Sequence, residues 1–555
     1  MRWLVEKKNQ PLPHLQVLIL ALIFISLISL LYLPYLGEGI FVHEEPRRAL
    51  IARTMMDSGN YLVPMLKNEI YTAKPPLYNW IIVLSARLFG SLTEFSARFS
   101  SVLSLGALTV FMLVVMRHFL SLPGVLMLGS GLVLTPEIMA KAPLNEIDLV
   151  FTFLTTASLW AWFLFYTRKK KGLALWFIPC LIVAFSFLAK REPAIIFFYF
   201  SITGFLLYKK DLKELVSIGH IASAITLLGI IGVWLWAMVE VVGVYAFLQN
   251  MQTEVIQRDV GGSLSKHLIH LLHYPLELML AMLPYSLLPI LLISSTVRSK
   301  LYSRYGDLVV FAGMTVLINL PIYLMREGTA VRYFLPMFPT LLVLCAALFE
   351  MTLDVENDDS KIYSNYWTKL IKVFAGITVV FVVILVANEL RQYWEKGPSP
   401  VLPQWLSSTI ILFLIGIIFW SIRSLKLFPY AAALPLFMVF GLLLRLTHYE
   451  VLLPRHLENL EKDRNVPQFV QWIKGHLPND SYPIIEIGFV PRDVWYYLGE
   501  HTIVTEKKAH EDNLQQEYAI AYEHTVTERN IDHWNELYRI PYRGKVLVFG
   551  KLTNQ

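Results

Sequence analysis

Long runs of apolar residues, separated by short polar segments, dominate the sequence up to about residue 446. A helix needs about 20 apolar residues to cross a bilayer, so the pattern predicts a mainly α-helical, polytopic membrane protein with about thirteen transmembrane helices. The first run is too long for a signal-peptide core and lacks a small-residue cleavage site, so we expect it to be retained as a span. The thirteen runs are 15–36, 97–116, 122–140, 147–167, 173–189, 193–207, 214–242, 273–295, 307–325, 333–350, 370–388, 403–421 and 428–446.

The composition supports a membrane protein. The chain of 555 residues is 55% hydrophobic and 16% charged, with a mean hydropathy of +0.52, whereas soluble domains carry about 25% charged residues. Its two cysteines, Cys180 and Cys345, both lie in apolar runs, which excludes a disulfide framework and a cysteine-based zinc site.

The positions of the basic residues predict the orientation of the chain. When the thirteen spans alternate, the basic clusters fall on one side, which the positive-inside rule assigns to the cytoplasm. The N-terminus is then cytoplasmic, and the odd number of spans places the C-terminus outside. We therefore interpret the net charge of +6 as a marker of topology and not as a nucleic-acid footprint. These clusters are Lys7–Lys8, Arg117, Arg168–Lys171, Lys209–Lys210, Arg298–Arg304 and Arg423–Lys426.

Residues 448–555 have a different character from the membrane part, residues 1–447. They contain short apolar runs typical of strands and amphipathic stretches typical of helices, separated by Pro, Asn and Asp turns, so we predict a small periplasmic α/β domain. Two large periplasmic loops are also expected, at 37–96 and 243–272. The predicted strands are Tyr482–Phe489 and Lys545–Phe549, and the predicted helices are Val466–His476 and Asp493–Leu498.

Charged residues that the topology does not require converge on the predicted outer face. They come from segments far apart in the sequence, and the basic ones oppose the charge bias of outer loops, so a functional role is the better explanation. They include Glu44, Glu45, Arg47, Lys74, Glu146, Asp148, Lys190, Arg191, Glu192, Arg258, Asp259, Arg326, Glu327 and Arg332.

The first outer loop opens with residues 43–64, which read HEEPRRALIARTMMDSGNYLVP. Pro46 suits the first turn of a helix, and the helix should end at Gly59. The segment is too polar to span the membrane, so we predict an interfacial amphipathic helix that holds Glu44 and Glu45 at its dipole-positive end. A second such helix is expected from Leu77 to Phe89.

This opening segment resembles that of the bacterial protein-O-mannosyltransferase-like glycosyltransferases, a family that includes the aminoarabinose transferase of lipid A. The resemblance continues through the membrane part and implies a GT-C fold. It also implies transfer of a sugar from a polyprenyl-phosphate donor to a lipid, glycan or protein acceptor on the periplasmic face. The motifs that carry it are TAKPPLYNWIIVLSARLFG (72–90), LNEIDLVFTFL (144–154), LAKREPAIIFF (188–198), IQRDVGG (256–262) and RYFLPMFPTLLVL (332–344).

The sequence departs from the family pattern at several site positions. Glu44 stands where the family has an Asp, and a carboxylate displaced by about 1 Å can be costly for catalysis. Ala73 replaces the acidic residue before Lys-Pro-Pro, so no metal is assigned and no cofactor is expected. The family's next outer Asp aligns with Glu146, although Asp148 competes for that role. Lys190 matches the family's Lys, but Arg191-Glu192 follows in place of Gly.

The resemblance and the chemistry of transfer together assign roles. Glu44 is the candidate base for a hydroxyl acceptor, and it would only position an acceptor that is itself a phosphate; Glu45 would orient Arg47 or the acceptor. Fixed cations would neutralise the leaving phosphate. The catalytic candidates are Glu44 and Glu45, and the substrate-binding candidates are Arg47, Lys74, Glu146, Asp148, Lys190, Arg258, Arg332 and Tyr333.

Each candidate also has a purely structural explanation. Glu44 and Glu45 could cap the interfacial helix, Lys74 could snorkel to the interface, and Lys190 or Arg258 could form ordinary ion pairs. A transporter of lipid-linked sugars is the alternative function, but it should carry inverted repeats and charges near the midplane, and no repeat is apparent. A non-catalytic scaffold is a third possibility.

Overall fold

The computed structural model describes two compact units of the chain. The first unit comprises the N-terminal segment up to Leu36, Ala73–Tyr78 and Arg98–Val451, and the second comprises Gly37–Thr72, Asn79–Ala97 and the chain from Leu452 onward. The described residues are 11–552 except for 68, 246, 248, 250–263, 354–359, 396–403, 425–432, 454–457, 459–464, 479–482, 500–502, 506–517, 530 and 532–533.

The first unit is built almost entirely of helices. Within the described residues its short 3-10 segments are Leu33–Tyr35, Leu212–Val216, Tyr285–Ile293, Val331–Tyr333 and Leu335–Met337. Helices Leu77–Leu88 and Glu94–Met116 contribute residues to both units. Its other α-helices are His14–Tyr32, Leu122–Leu134, Pro136–Lys141, Asp148–Thr167, Leu173–Lys190, Pro193–Lys209, Ile218–Val242, Leu264–Ala281, Ser295–Tyr305, Asp307–Leu324, Phe338–Thr352, Ser360–Glu395, Gln404–Ser424 and Ala433–Thr447.

Eight helices in the described part of the chain are long and apolar enough to cross a membrane. They coincide with eight of the predicted spans, and shorter apolar helices coincide with four more: Leu122–Leu134, Pro193–Lys209, Thr409–Trp420 and Ala433–Thr447. The prediction of a mainly helical polytopic fold is therefore confirmed.

The predicted span 273–295 is not a continuous helix. The run 273–295 is divided between the end of helix Leu264–Ala281 and the 3-10 helix Tyr285–Ile293, with Pro284 between them. Proline has no backbone N–H and its ring clashes with the preceding turn, so it interrupts a helix that the apolar pattern alone would continue.

Apolar side chains divide the helices of the first unit into an inner and an outer group. In the apolar stretch of Leu335–Thr352, 94% of the residues are buried. The corresponding shares are only 33%, 28% and 33% in His14–Tyr35, Ile218–Val242 and Asn365–Asn388. Contiguous exposed apolar surface of this kind suits lipid and not water. The inner helices carry stacked aromatic rings, including Phe163 and Phe311 with centroids 4.6 Å apart.

The second unit contains helix Glu45–Ser58, which the sequence predicted. Gly59 ends this helix in the left-handed conformation, with φ of 71°, and its N–H donates to the carbonyl of Met55. A Cβ would be strained at this φ, which explains the glycine. The strands β1 (Met65–Leu66) and β2 (Glu69–Ile70) follow as a short antiparallel pair.

The C-terminal part of the second unit is a small α/β structure, as predicted. The strands are β3 Ile484–Ile487, β4 Ile503–Thr505, β5 Tyr518–Tyr522, β6 Trp534–Tyr542 and β7 Lys545–Leu552, and the helices are Val466–His476, Arg492–Leu498 and Glu523–Glu528. The sheet has the order β4-β3-β5-β7-β6, with β3–β4 and β3–β5 parallel and the remaining pairs antiparallel. Arg543 and Gly544 turn from β6 to β7 with φ of 51° and 74°, which is the backbone of a tight two-residue hairpin.

Candidate active site

A buried ion pair joins two apolar helices of the first unit. Asp148 is the first residue of helix Asp148–Thr167, Lys190 is the last of helix Leu173–Lys190, and their Oδ1 and Nζ atoms are 2.5 Å apart. Only 7% and 10% of these side chains are exposed. The ammonium also lies 5.2 Å from the ring centre of Phe151 and 5.1 Å from that of Tyr333. The cation is therefore held in place by a carboxylate and two aromatic faces.

A second carboxylate, Glu146, lies beside this pair. Its Oε2 atom is 2.7 Å from Nζ of Lys141 and its Oε1 atom is 3.9 Å from Nη1 of Arg332. Burial opposes the charge on Arg332, but Asp148, the hydrogen bond to Tyr333 and Glu146 together raise its pKa above the ordinary value. Glu146 and Asp148 thus each face fixed cations, and both alternatives for the family's acidic position belong to one cluster.

The motif that contains Lys74 anchors the turn that carries Glu146. Tyr78 is buried, and its hydroxyl donates to Oδ1 of Asn145 at 2.8 Å. Arg191 has a φ of 68°, unusual for a residue with a side chain, and its Nη1 donates to the carbonyl of Ala73 at 3.4 Å. Lys74 itself is half-buried. Three of the sequence motifs are therefore joined by hydrogen bonds in the first unit.

The carboxylates of the first loop lie in the second unit and differ in exposure. Glu44 precedes helix Glu45–Ser58, has 36% of its side chain exposed and forms a 2.7 Å ion pair with Nη1 of Arg47. Glu45 is fully buried, and its Oε2 accepts the backbone N–H of Val42 at 2.9 Å. Glu44 is thus the accessible acid of the two, and it is also the partner of Arg47, for which the sequence had offered Glu45.

Residues of the C-terminal segment contact the first loop inside the second unit. Nζ of Lys67 lies 2.6 Å from Oε1 of Glu486, and Nη1 of Arg53 donates to the carbonyl of Tyr496 at 2.6 Å. The hydroxyl of Tyr497 accepts the N–H of Phe41 at 3.0 Å. Burial lowers the pKa of Lys67, against the opposing effect of Glu486. These contacts were missed because nothing in a single sequence links residue 67 to residue 486.

The predicted site residues therefore fall into two described groups. Glu146, Asp148, Lys190, Arg332 and Tyr333 form one cluster in the first unit, to which the structure adds Lys141. Glu44, Glu45 and Arg47 lie together in the second unit. Arg258 is outside the described residues, as is most of the predicted loop 243–272. No group of three or more His, Cys, Asp or Glu residues within the described part of the chain is placed to hold a metal ion.

The missed residue Lys141 left only a weak signal in the sequence. It lies five residues before Glu146 in a short polar break between apolar runs, and a lone lysine at such a break is ordinary. Only the turn of helix Pro136–Lys141 brings its ammonium to the carboxylate.

Apolar helices that end in buried ion pairs, together with a small mixed sheet, define a polytopic membrane protein whose polar groups cluster at helix ends. This arrangement matches the crystal structure of ArnT from Cupriavidus metallidurans in the apo state, with a TM-score of 0.68 at 14% identity over 96% of this chain and 98% of that one. The ArnT structure bound to undecaprenyl phosphate matches with the same TM-score at 15% identity. The fold is thus that of ArnT.

The sequence matches point to the same group of proteins. Residues 73–236 match the family described as dolichyl-phosphate-mannose-protein mannosyltransferase. The undecaprenyl phosphate-alpha-4-amino-4-deoxy-L-arabinose arabinosyl transferase of Pectobacterium atrosepticum is 26% identical over 92% of this chain and 89% of its own length. The corresponding transferase of Serratia proteamaculans is 24% identical over 93% and 90%. The chain is thus similar to these membrane transferases in both sequence and fold, as its motifs predicted.

Proposed function

We propose that this protein transfers a sugar from a polyprenyl-phosphate donor to a lipid, glycan or protein acceptor at the periplasmic membrane face. The observation that carries the proposal is the buried cluster around Lys190 in the first unit. It collects charged groups at the ends of apolar helices, where an amphipathic lipid phosphate would present its headgroup. Relatives whose names specify an undecaprenyl-phosphate sugar donor align over nine-tenths of the chain, which supports this donor class.

The proposed orientation follows the positive-inside rule. The N-terminus would be cytoplasmic, about thirteen helices would span the membrane, and residues 448–555 would form a periplasmic domain. Two of the basic residues on the predicted cytoplasmic side, Arg117 and Arg168, contact His14 and His118 at 2.6 and 2.8 Å. These two contacts join arginine to histidine and include no carboxylate, which suits a face that meets anionic lipid.

The proposed roles divide the chemistry between the two groups of residues. Glu44 is the accessible carboxylate and would remove the proton of a hydroxyl acceptor, with Arg47 holding it in position. Lys74, Arg258 and Lys190 would stabilise negative charge on the departing polyprenyl phosphate. Since Asp148 neutralises Lys190 in part, we propose that Lys190 acts as a positioned hydrogen-bond donor. Glu146, Arg332 and Tyr333 would shape the sugar subsite beside it.

The acceptor determines what Glu44 must do. A hydroxyl acceptor has to lose a proton as it attacks, and general-base catalysis is worth roughly 10²–10⁴-fold in rate. An acceptor that is itself a phosphate is already anionic, and Glu44 would then only position it. The lipid A modification implied by the family resemblance is the acceptor class we favour.

The test is turnover by the purified full-length protein in lipid nanodiscs. Radiolabelled undecaprenyl-phosphate sugars would be offered with lipid A and with hydroxyl acceptors, and labelled product measured for wild type, Glu44→Gln and Lys74→Ala. Glu69→Gln is the matched control because Glu69 is an exposed carboxylate of the same loop. We expect Lys74→Ala to abolish most turnover with every acceptor. Glu44→Gln should cost about 10²-fold or more only with hydroxyl acceptors.

Turnover that survives both substitutions would refute the site assignment. Absence of turnover with every donor and acceptor would refute the proposed activity and favour the alternative, transport of lipid-linked sugars.

A further inference from the structure

Three arginines of the second unit, Arg47, Arg48 and Arg492, interact electrostatically with one another. Arg47 and Arg48 both face the ring of Tyr71, with their guanidinium carbons 5.9 and 5.8 Å from its centre. Arg492, from the C-terminal segment, interacts electrostatically with both arginines, with Tyr71 and with Glu44. Two guanidinium groups therefore lie over one aromatic ring, and a third is close enough to interact electrostatically with both of them and with Glu44.

Part of this cluster is buried without a hydrogen-bond partner. Only 5% of Arg48 is exposed, and its Nη1 atom has no hydrogen-bond partner among the residues that the structure describes. Nε of Arg47 is also buried and also has no hydrogen-bond partner among the described residues. Buried donors on a charged group are rarely left unsatisfied in proteins. The unsatisfied donors indicate a missing anionic partner.

The position of Arg492 is set by firm contacts of the helix that carries it. This helix, Arg492–Leu498, packs against helix Glu45–Ser58, where Arg53 donates to the carbonyl of Tyr496 at 2.6 Å and lies 4.0 Å from that residue's ring centre. The carboxylate of Asp493, next to Arg492, accepts the hydroxyl of Tyr542 at 2.9 Å. Burial and the charge of Arg47 lower the pKa of Arg492, as expected for a cation held among like charges.

We propose that Arg47, Arg48 and Arg492 form a binding site for the oxyanions of a phosphoester. Guanidinium groups present paired N–H donors in a planar fork that matches phosphate oxygens. A phosphoester supplies several acceptor oxygens at once, so it can satisfy both Nη1 of Arg48 and Nε of Arg47. Glu44 orients Arg47 toward the site through their 2.7 Å ion pair. The C-terminal segment thereby contributes a ligand-binding residue beside the first loop.

The site can be tested by equilibrium binding to the full-length protein in nanodiscs of zwitterionic lipid. The probes are inorganic phosphate, farnesyl phosphate and farnesol, and the variants are Arg48→Gln and Arg492→Gln. Arg539→Gln is the matched control, because Arg539 is exposed and pairs with Glu536 and Glu523. We expect each site variant to weaken binding of the phosphate-bearing probes about tenfold or more. Farnesol binding and the control variant should not change.

The two phosphate probes distinguish the sources of the oxyanion. Loss of farnesyl phosphate binding alone would identify a lipid-linked phosphate, and loss of binding for both probes would identify a phosphate subsite that needs no chain. Equal affinity of Arg48→Gln, Arg492→Gln and wild type would overturn the proposal, as would failure of wild type to bind either phosphate. If Arg48→Gln does not fold, Arg492→Gln decides alone, since Arg492 is only half-buried.

This inference stands apart from the proposed sugar transfer. Phosphate binding that depends on Arg48 and Arg492 in a protein without transferase activity would refute the transfer and leave the oxyanion site. Sugar transfer by the wild-type protein, with phosphate binding unchanged in both variants, would refute the oxyanion site and leave the proposed transfer standing.

Discussion

Two lysine–aspartate pairs in the described part of the chain, Lys190 with Asp148 and Lys209 with Asp307, differ mainly in burial and permit a controlled test of the site cluster. Asp148 and Lys190 are 2.5 Å apart with 7% and 10% of their side chains exposed. Lys209 and Asp307 are 2.9 Å apart with 31% and 38% exposed. In both pairs the aspartate begins a helix and the lysine ends one, so helix-dipole effects are matched.

The expected magnitudes follow from burial. Lys190→Met leaves a buried carboxylate without its main counter-charge, and removal of one partner from a buried pair costs about 3–5 kcal/mol. Lys209→Met removes an exposed pair, which is worth about 0–1 kcal/mol. Replacing both Asp148 and Lys190, by Asn and Met, removes both charges together and should cost clearly less than the two single substitutions added.

The assay is equilibrium unfolding of the full-length protein in mixed micelles, with the four members of a double-mutant cycle measured for each pair. A coupling energy of at least about 2 kcal/mol is expected for the buried pair, and about 0.5 kcal/mol or less for the exposed pair. Equal coupling in the two pairs, or additive effects at Asp148 and Lys190, would refute the conclusion that burial makes this cluster a fixed structural element.

Three further predictions concern other parts of the fold. Lys67→Met should destabilise the protein by about 3 kcal/mol, because it leaves Glu486 buried without its cation, as measured by denaturant unfolding. Burial lowers the pKa of Lys67 in the folded protein, so this lysine binds its proton more tightly in the unfolded chain. The free energy of unfolding should therefore rise with pH in the alkaline range just below the ordinary lysine pKa. Lys67→Met should abolish that rise. Gly219→Ala should prevent native packing, because its Cβ would lie 2.2 Å from a backbone atom of Gly172; a folded variant with the wild-type melting temperature would contradict this. Tyr542→Phe should cost about 1–2 kcal/mol through the lost hydrogen bond to buried Asp493, whereas a change in unfolding free energy below about 0.5 kcal/mol would show that water replaces it.

The sequence predicted local structure well where the physical signal is local. Helix Val466–His476 was predicted with the bounds that the structure has, because its amphipathic pattern is strong and Asn465 caps its first turn by accepting the N–H of Gln468. The break at Gly59 was equally clear. The strands β4, β5 and β6 were missed, since each is short or alternates without a strong apolar pattern and gains its stability from its neighbours.

The members of the charged cluster in the first unit could be selected from the sequence, but their pairing could not. Charges at the ends of apolar runs are visible in the sequence, so Glu146, Asp148 and Lys190 could be selected from their positions between apolar runs. Which carboxylate would neutralise Lys190 could not be selected in the same way. Both carboxylates lie on one turn, and the direction in which each points depends on the residue at which the helix begins, which a sequence defines only to within one or two positions.

What the sequence determined by itself is the environment, lipid or water, of each segment and a resemblance: apolar length defined the membrane helices, and motif residues indicated the similarity to known membrane glycosyltransferases. Both signals depend only on residues that are close together in the sequence, so they can be recognised without knowing which distant segment each residue contacts. The tertiary structure alone decided the contacts between distant segments, such as Lys190 with Asp148, Lys67 with Glu486, and Arg492 with the arginines of the first loop. Such pairings depend on how helices cross and strands order, and a charge in one segment carries no local mark of the partner it will meet.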